Sequence, residues 1–511
     1  MRIRETRVAD AEMKQLNFRP IIYLYIYIPI LLFVAGWYKW YISIPLVCGM
    51  LYVFFRFFMQ DRKEGNAESA VGYALSVPDI ISSVIVFLIL LFWCIVSGQG
   101  GYVTQTGDWD KHNTVLNVLT SNPWPVRGNF DGKEGVLTYY VAGYLVPAAC
   151  GKIYGGFITA QFITLFWTLA GLMLIMHLIA DILNIKNPWL RIAIVPAFAL
   201  FSSFSVLLSM AYSIVVPGDL YYNSTHFLSN SILVQFTSNI LNLSWVYPQA
   251  LAGWLLTLML IKDVKRIERW GVIIAPAAIY STFVFVVLLV FAAMLLLFKE
   301  NENLVRGTEI KGLLKEAFGV SNIITIVLAS TFVWYLMGSI LQDKRGYMDM
   351  GYSLIDYRGH LRTFVFLSLM WGMWALLLIK KEYDNFIFYA ASLMYFLLMV
   401  GKMGFFNDLC MRGSLVPVTV YSVLVIKNLL DERNDKWYRV LLAVFLILNA
   451  LGGICEVIGL VKANGIDFEA TEQGYSTLSE FVAMLGREKL MLMRYQYVNW
   501  EPDGFVRFLL R

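Results

Sequence analysis

Long hydrophobic blocks without charged residues recur along the chain, separated by shorter polar stretches. They predict membrane spans at 20–36, 41–58, 78–98, 156–181, 191–213, 248–262, 271–298, 320–341, 361–379, 384–401, 413–430 and 438–460. A helix needs about 20 apolar residues to cross the hydrocarbon core of a bilayer. Only helices and closed barrels satisfy their backbone in lipid, and these blocks are too long for barrel strands. The pattern therefore predicts an all-α, polytopic helical membrane protein.

The block 271–298 is long enough for one tilted helix or for a hairpin of two short ones. The preceding stretch "KDVKRIERW" (262–270) is the most basic short loop, and Lys and Arg are enriched in cytoplasmic loops. A hairpin keeps the later basic loops on that same side, whereas a single span would reverse the bias. We therefore expect a break near Pro276 and Ser281, about thirteen membrane helices, a cytoplasmic N-terminus and an outward C-terminus.

In this topology most of the polar sequence faces outward. Large outward regions are predicted at 99–155, 214–247 and 342–360, and loop 402–412 joins them. The chain then divides into an N-terminal cytoplasmic segment with two extra membrane helices, a transmembrane module with these outer loops, and a small outward cap. These three parts are residues 1–77, 78–460 and 461–511.

The apolar segment 136–155 is interrupted by glycine and proline. As a membrane span it would place the basic loop that follows the next helix on the outside, against the charge bias. We therefore expect a helix that lies on the outer surface, with Tyr139, Tyr140 and Tyr144 at the level of the lipid headgroups.

The composition supports the membrane class, and the net charge gives no indication of a nucleic-acid partner. Apolar residues make up 59% of the 511 positions and charged residues 15%, whereas a soluble domain has about 25% charged residues. Basic cytoplasmic loops account for the net charge of +5, so no nucleic-acid partner is implied. The five cysteines are scattered without paired spacing and predict neither a disulfide framework nor a zinc site.

The stretch "GDWDKHNTVLNVLTSNPWPV" begins at Gly107, just after a predicted span. Trp109, Leu116 and Leu119 share one helical face, which predicts a short amphipathic helix over 107–120 on the membrane surface. Prolines at 123 and 125 end it. A solvated polar face anchored by tryptophan is the simplest interpretation of this helix.

Four ionisable residues of this helix could carry chemistry. Asp108 lies three and four residues before Lys111 and His112, so these side chains can meet on one face that turns toward a cleft, and Asp110 follows close by. A carboxylate at a membrane boundary is partly desolvated, which is where a catalytic base is useful.

Two further outward segments combine polar groups with few charges. In 216–249, Asp219 and His226 stand among Asn, Ser, Thr and Gln side chains, Gln249 included, that suit a sugar or amide ligand or simply cap helices. In "GFFNDLCMR" (404–412), Arg412 suits a phosphate ligand. Asp408 is four residues before Arg412, so the two also suit a salt bridge.

No nucleotide-binding loop, zinc-protease motif or Ser/His/Asp order is present in the sequence. ATP-driven transport by this chain alone is therefore not expected.

Several segments resemble the GT-C superfamily of membrane glycosyltransferases. "GDWDKH" (107–112) is similar to an acidic first outer loop of the glucosyltransferases of the N-glycan pathway, and "KEGVLTYYVAGY" (133–144) to a segment of lipid A aminoarabinose transferases. "LSWVYPQALAGWL" (243–255) and "FNDLCMRGSLVP" (406–417) resemble segments of uncharacterised bacterial proteins of this type. The resemblance covers most of 78–430.

The resemblance implies a GT-C-like fold and an inverting transfer of a sugar from a polyprenyl-phosphate donor to a lipid, glycan or protein acceptor. It places the enzyme in a bacterial plasma membrane with its active face outward. Asp108 would be the base that deprotonates the acceptor, with Asp110 as the second choice. Substrate-binding residues, including cations for the donor phosphate, would come from Lys111, His112, Lys133, Glu134, Asp219, His226, Gln249, Asn407, Asp408 and Arg412.

Some enzymes of this type use a divalent cation and others do not, and Asp108, Asp110 and His112 are the residues that would hold one. Two other functions stay open from the sequence. One is a transporter or flippase for a lipid-linked saccharide, which would need charged residues near the membrane midplane. The other is a non-catalytic scaffold of the cell envelope.

Overall fold

A computed structural model of the chain shows a predominantly α-helical protein. It describes residues 18–64, 76–103, 105, 107–130, 133–219, 232, 234–300, 312, 315–340, 352–404, 407–464, 474–487, 497–500, 502 and 504–511. In this part of the chain, nine helical segments are long and apolar enough to cross a membrane. The multi-pass membrane class predicted from the sequence is confirmed at this level.

The helices follow the hydrophobic blocks closely. In chain order they are α1 (Arg19–Trp37), α2 (Trp40–Glu64), α3 (Val77–Val96), α4 (Gly107–Ser121), α5 (Ala142–Tyr154), α6 (Gly156–Ile182), α7 (Pro188–Ala199), α8 (Ser205–Val215), α9 (Asn239–Lys262), α10 (Trp270–Ile274), α11 (Ala277–Tyr280), α12 (Thr282–Glu300), α13 (Val320–Ile340), α14 (Leu361–Leu378), α15 (Phe386–Val400), α16 (Asp408–Gly413), α17 (Leu415–Leu430), α18 (Lys436–Asn464), α19 (Leu478–Arg487) and α20 (Gly504–Leu509).

Five short strands accompany the helices. They are β1 (Arg127–Phe130), β2 (Lys133–Leu137), β3 (Ser353–Leu354), β4 (Gly401–Lys402) and β5 (Val498–Trp500). In the larger sheet β2 lies between β1 and β5, and all pairings are antiparallel. The smaller sheet joins β3 to β4. Each sheet therefore connects segments that the sequence places in different outward regions.

One end of the helix bundle is held together by buried ion pairs, and we call it the basic end. Arg19 at the start of α1 bonds the carboxylates of Asp61 and Asp263, each at 3.0 Å. Arg269 donates to Asp61 at 2.7 Å with its own side chain fully buried. Arg266 lies within 4 Å of both carboxylates. The cluster ties the start of α1 to the ends of α2 and α9. Losing one partner from such a cluster would leave a buried charge without compensation.

The opposite end of the bundle, which we call the loop end, collects the other predicted outward segments. Thr138 N donates to the carbonyl of Tyr497 at 2.7 Å, where β2 meets the tail. Asn117 of α4 donates to the carbonyl of Gly474 at 3.3 Å. The residue after α1, Tyr38, forms a β-bridge with Leu510. The tail is therefore an ordered part of the loop end in the residues described.

The predicted span 191–213 is not one helix. The chain leaves helical geometry between α7 and α8, at residues 200–204. Buried polar contacts stabilise the break, since Ser203 Oγ donates to the carbonyl of Phe236 at 2.9 Å and the backbone N–H of Phe204 to the carbonyl of Met370 at 2.8 Å. The sequence analysis did not predict this break, although Ser202, Ser203 and Ser205 interrupt the apolar run there.

The block 271–298 is broken where the sequence predicted. Ser281 has extended backbone angles between α11 and α12, and α12 packs against both α10 and α11. The first arm, from Trp270 to Tyr280, is about 16 Å long at 1.5 Å per residue, roughly half of a hydrocarbon core. The expectation of two short spans is therefore wrong for this arm, which enters the bundle without crossing it.

The segment 136–155 does not lie exposed at a membrane surface. Its helix begins only at Ala142, and the preceding residues form β2 and a short connection. Tyr139, Tyr140 and Tyr144 are 1%, 8% and 1% exposed, so they lie in the protein interior rather than among lipid headgroups. This prediction was wrong because packing partners for these rings come from distant parts of the chain.

Candidate functional site

Helix α4 forms as predicted, but it is embedded in the protein. The face that carries Trp109, Leu116 and Leu119 is buried against other helices. The indole of Trp109 stacks on the ring of Tyr247 in α9, with centroids 5.2 Å apart and planes 9° apart. The prediction of a helix resting on the membrane surface is therefore corrected. Only the first turn of α4 reaches the protein surface with charged groups.

His112 does not face a cleft. Its side chain is 1% exposed, with Nδ1 2.5 Å from the hydroxyl of Tyr144 and Nε2 2.9 Å from the carbonyl oxygen of Trp245. Burial, aided by the charge of Lys111, lowers the pKa of His112 to about 3. The neutral ring therefore donates one hydrogen bond to Trp245 and accepts one from Tyr144. With both nitrogens engaged, His112 has no position left for a metal ion or substrate.

The hydrogen bond from His112 to Trp245 lies at a break in helix α9. Val246 has non-helical backbone angles (φ −141°, ψ 40°), and Pro248 two residues later has no backbone N–H to donate. His112 thus bonds the carbonyl of the residue that directly precedes the break. It joins α4 and α5 to the kinked part of α9 and fixes the height of α4 in the bundle.

Asp108 is the carboxylate that this helix presents. It accepts from Lys111 Nζ at 3.1 Å, the contact predicted from their spacing, and its side chain is 45% exposed. Burial raises its pKa, but Lys111, His112 and Arg412 together outweigh this and hold the pKa of Asp108 below its usual value. Its place in the first helical turn also favours a negative charge. Asp110 lies in the same turn and is exposed.

Arg412 is the buried cation of the loop end. Its side chain is 8% exposed, and its Nη1 lies 2.9 Å from Oδ1 of Asp408, which confirms the predicted ion pair. The guanidinium also lies over the ring of Phe283, with Cζ 5.6 Å from the centroid. Among the described residues, however, the Nε and Nη1 groups of Arg412 have no hydrogen-bond acceptor in suitable geometry. Nη1 therefore pairs with Asp408 as an ion without hydrogen-bond alignment, and Nε has no acceptor within the described ranges.

Asn407 shapes the turn that carries Arg412. It has a left-handed backbone (φ 56°) immediately before α16, a conformation that asparagine tolerates better than most residues. Its side-chain oxygen accepts from Met403 N at 3.3 Å, and its amide nitrogen donates to the carbonyl of Gly401 at 3.4 Å. These contacts give Asn407 a structural position in the turn.

Other predicted residues lie apart from this pair of helices. Lys133 and Glu134 are on the exposed part of β2, where Glu134 pairs with Arg127 at 2.5 Å. Asp219 follows α8 and accepts from the hydroxyl of Tyr212 at 2.6 Å. Gln249 is 1% exposed inside α9. His226 lies outside the described residues.

Three tyrosines that were not expected at the site lie within electrostatic range of Arg412. The charge of Arg412 acts on Tyr139, Tyr140 and Tyr497, and Tyr497 is also within electrostatic range of Asp108 and Asp408. The ring centroids of Tyr139 and Tyr497 are 4.9 Å apart, as are those of Tyr139 and Tyr140. The sequence signalled these residues only as aromatic positions, because nothing in it pairs the tail with β2.

Chemically, the site combines an ionised and accessible carboxylate, a paired lysine, and a buried guanidinium with unused donors. In the described part of the chain, no group of three or more His, Cys, Asp or Glu side chains is placed to hold a metal ion. Comparisons with protein-family models and with curated proteins find no match for the chain.

Proposed function

We propose that the protein is a GT-C-type glycosyltransferase that moves a sugar from a polyprenyl-phosphate donor to an acceptor, with inversion at the anomeric carbon. In this proposal Asp108 accepts the proton of the attacking hydroxyl. Arg412 binds the phosphate that leaves with the polyprenyl chain, and Lys111 holds Asp108 in place. The acceptor is a lipid, a glycan or a protein.

The observation that carries the proposal is the state of Asp108. Its pKa is held low by Lys111, His112 and Arg412 against the effect of burial, so the carboxylate is ionised at neutral pH while nearly half of it stays accessible. An acceptor hydroxyl can therefore reach a deprotonated base within the electrostatic field of a buried cation. A purely solvated anchor helix would not bring a buried arginine into the same neighbourhood.

The proposal includes an orientation. The basic end carries Lys262, Lys265, Arg266 and Arg269, which favours the cytoplasm by the positive-inside bias. The loop end then faces outward in a bacterial plasma membrane. Donor sugars attached to a lipid are reachable there from within the bilayer.

The test compares Asp108→Asn with Asp110→Asn in purified protein reconstituted into vesicles with a panel of polyprenyl-phosphate sugars as donors and a cell-envelope extract as the source of acceptors. Release of free polyprenyl phosphate is the readout. Loss of a general base typically lowers the rate by about 10²- to 10⁴-fold, so we expect a loss of that size for Asp108→Asn and a smaller one for Asp110→Asn. Asp356→Asn, which removes an exposed partner of Arg358, is the matched control.

Full activity in both helix variants would exclude a catalytic role for this turn of α4. Movement of the intact donor across the vesicle membrane, without release of polyprenyl phosphate by any variant or by the wild type, would instead establish a flippase.

A further inference from the structure

A small cavity lies between α3, α6 and α7, near the basic end of the bundle. Its volume is about 40 Å³, which is room for about three water molecules at about 10–15 Å³ each. Two contacts place it at this end. The ring centroid of Phe18 lies 4.2 Å from that of His177, and Asp181, one turn further along α6, bonds Lys262 at 2.7 Å. Protein interiors contain few voids of this size, so the chemistry of the cavity walls indicates what the space can hold.

One face of α6 supplies three potential metal ligands to this cavity. Met173, Met176 and His177 all line it, and their spacing of three and four residues places them on one side of the helix. Helix α6 is long and apolar enough to cross a membrane, and an ionisable side chain within such a helix indicates a functional site. Two thioethers and an imidazole therefore lie around one small space, where the three rotatable bonds of methionine let the sulfur atoms adjust.

The charges beside the cavity are paired with one another. Arg191 of α7 lines the cavity and bonds Asp79 at 3.0 Å, and Asp181 is paired with Lys262. None of the described carboxylates lines the cavity itself. The cavity therefore offers neutral sulfur and nitrogen ligands next to two compensated ion pairs.

This set of ligands suits a soft metal ion. Mg²⁺ and Ca²⁺ are bound through oxygen, and zinc sites use thiolate, imidazole or carboxylate. Thioether sulfur selects Cu(I) instead. Ser82 and Ser83 of α3 also line the cavity, but their hydroxyls are weak ligands for a soft ion. Since the ligands carry no charge, a monovalent ion leaves less uncompensated charge within the bundle than a divalent one.

We propose that Met173, Met176 and His177 form a binding site for one Cu(I) ion between α3, α6 and α7. The site belongs to the basic end, whereas Asp108 belongs to the loop end, so binding of copper here does not depend on the proposed sugar transfer. In the proposed orientation the basic end faces the cytoplasm, whose reducing conditions favour the monovalent state of copper.

The experiment measures transfer of copper to the purified full-length protein in detergent. Exposed thiols, including those of Cys48 and Cys455, are first blocked with N-ethylmaleimide because thiolates also bind Cu(I). Copper is supplied as the coloured Cu(I) complex of bicinchoninate under reducing conditions. Loss of the colour gives the number of ions bound and their dissociation constants.

The variants replace the proposed ligands with residues of similar size. One carries both Met173→Leu and Met176→Leu, an exchange that nearly conserves volume and is well tolerated in cores. The other is His177→Gln. The matched control is Met394→Leu, at a methionine of α15 that is 2% exposed, compared with 4% for Met176.

We expect the wild type and Met394→Leu to bind one Cu(I) ion more than the double methionine variant. Loss of a group that merely orients a metal ligand weakens binding by about 10- to 100-fold, so His177→Gln should weaken binding at this site by at least about tenfold. X-ray absorption at the copper edge should show nitrogen and sulfur neighbours in the wild type. Melting temperatures without copper should be nearly equal for the wild type and the double methionine variant.

Mg²⁺ and Zn²⁺ test the choice of metal. We expect neither ion to raise the melting temperature of the wild type more than that of the double methionine variant, whereas Cu(I) should do so. A difference produced by Zn²⁺ but not by Cu(I) would overturn the assignment of the metal.

The same number of copper ions, bound with the same affinity by the wild type and by both variants, would overturn the proposed site. An equal loss in Met394→Leu would do so too, because it would show a general effect of removing methionine. Neither result bears on the transfer assay with Asp108, so the two proposals can fail separately.

Discussion

His112 is the residue whose protonation state has the clearest consequence for stability. In the folded protein its pKa is about 3 because the ring is buried, whereas an unperturbed histidine has a pKa of about 6.5. As the pH falls below about 6.5, the unfolded chain binds a proton that the folded protein does not, so the free energy of unfolding decreases. The decrease continues until the pH approaches the folded-state pKa.

We predict that this linkage removes about 2 kcal/mol of stability between pH 7.5 and pH 5. His112→Gln, which cannot titrate, should show a correspondingly smaller drop in melting temperature between these two pH values. Identical pH dependence in the variant and the wild type would contradict the buried, neutral state of His112.

Sequence spacing identified the right residues of α4 but not all of their surroundings. The contact between Asp108 and Lys111 follows from helical geometry alone, because both residues lie on one face of the same helix. The hydrogen bonds of His112 do not follow from helical geometry, because its partners are Tyr144 of α5 and a main-chain carbonyl of α9. Local periodicity contains no information about which other helices cover a given face.

At the scale of elements, the junction between α5 and α9 depends on close approach of two backbones. A Cβ added at Gly143 would lie 2.4 Å from Cβ of Pro248 and 3.1 Å from its Cα. Glycine is required there for packing, and the contact holds the part of α9 that begins just after the kink. The same part of α9 carries Tyr247, on which Trp109 stacks.

We predict that Gly143→Ala destabilises the protein by about 1–3 kcal/mol, the usual cost of overpacking, and lowers the melting temperature. Gly372→Ala is the matched control, because Gly372 lies inside α14 with no neighbouring atom within 4 Å of an added Cβ. Alanine there should be neutral or stabilise the helix by up to about 1 kcal/mol. Melting temperatures that shift equally for the two variants would show that the contact with Pro248 is unimportant.

The elements that sequence predicted best are the long helices, because an uncharged block of membrane length has few alternatives in lipid. The breaks were predicted only where glycine, proline or serine marked them, as at Ser281. The interruption at residues 200–204 depends on carbonyl and hydroxyl contacts with Phe236 and Met370. Ser202 and Ser203 mark this interruption in the sequence, but the partners that stabilise it come from distant segments.

At the scale of the whole molecule, the charges and loops separate to the two ends of the bundle. Lys265 is exposed at the basic end and Ser476 at the loop end. If the basic end is cytoplasmic, cysteines placed at these two positions should differ in their reaction with a membrane-impermeant maleimide in intact cells.

We predict that Ser476→Cys reacts in intact cells and that Lys265→Cys reacts only after permeabilisation. The background should be measured in the otherwise unchanged protein, since Cys48 and Cys455 are exposed on α2 and α18. A reversed labelling pattern would invert the proposed topology and place the candidate site in the cytoplasm.

The domain division made from the sequence separated the tail from the transmembrane module, and the structure shows contacts between the two. β5 pairs with β2 across a long sequence separation, and the ring of Tyr497 packs on that of Tyr139. Hydropathy cannot predict such pairing, because a three-residue strand has no distinctive pattern. For the loop end, the sequence therefore predicted which segments lie together on one side, but not how they pair with one another.

The pairing of β2 with β5 also imposes an order of events during biosynthesis. Residues 135–137 leave the ribosome long before residues 498–500, and most of the membrane helices lie between them in the chain. The contact between Tyr139 and its aromatic neighbour from the tail can therefore form only after the translocation machinery has inserted the intervening helices. A chain caught halfway through synthesis would contain Asp108 but would lack β5 and Tyr497, so the loop end can be completed only after the last membrane helix has been made.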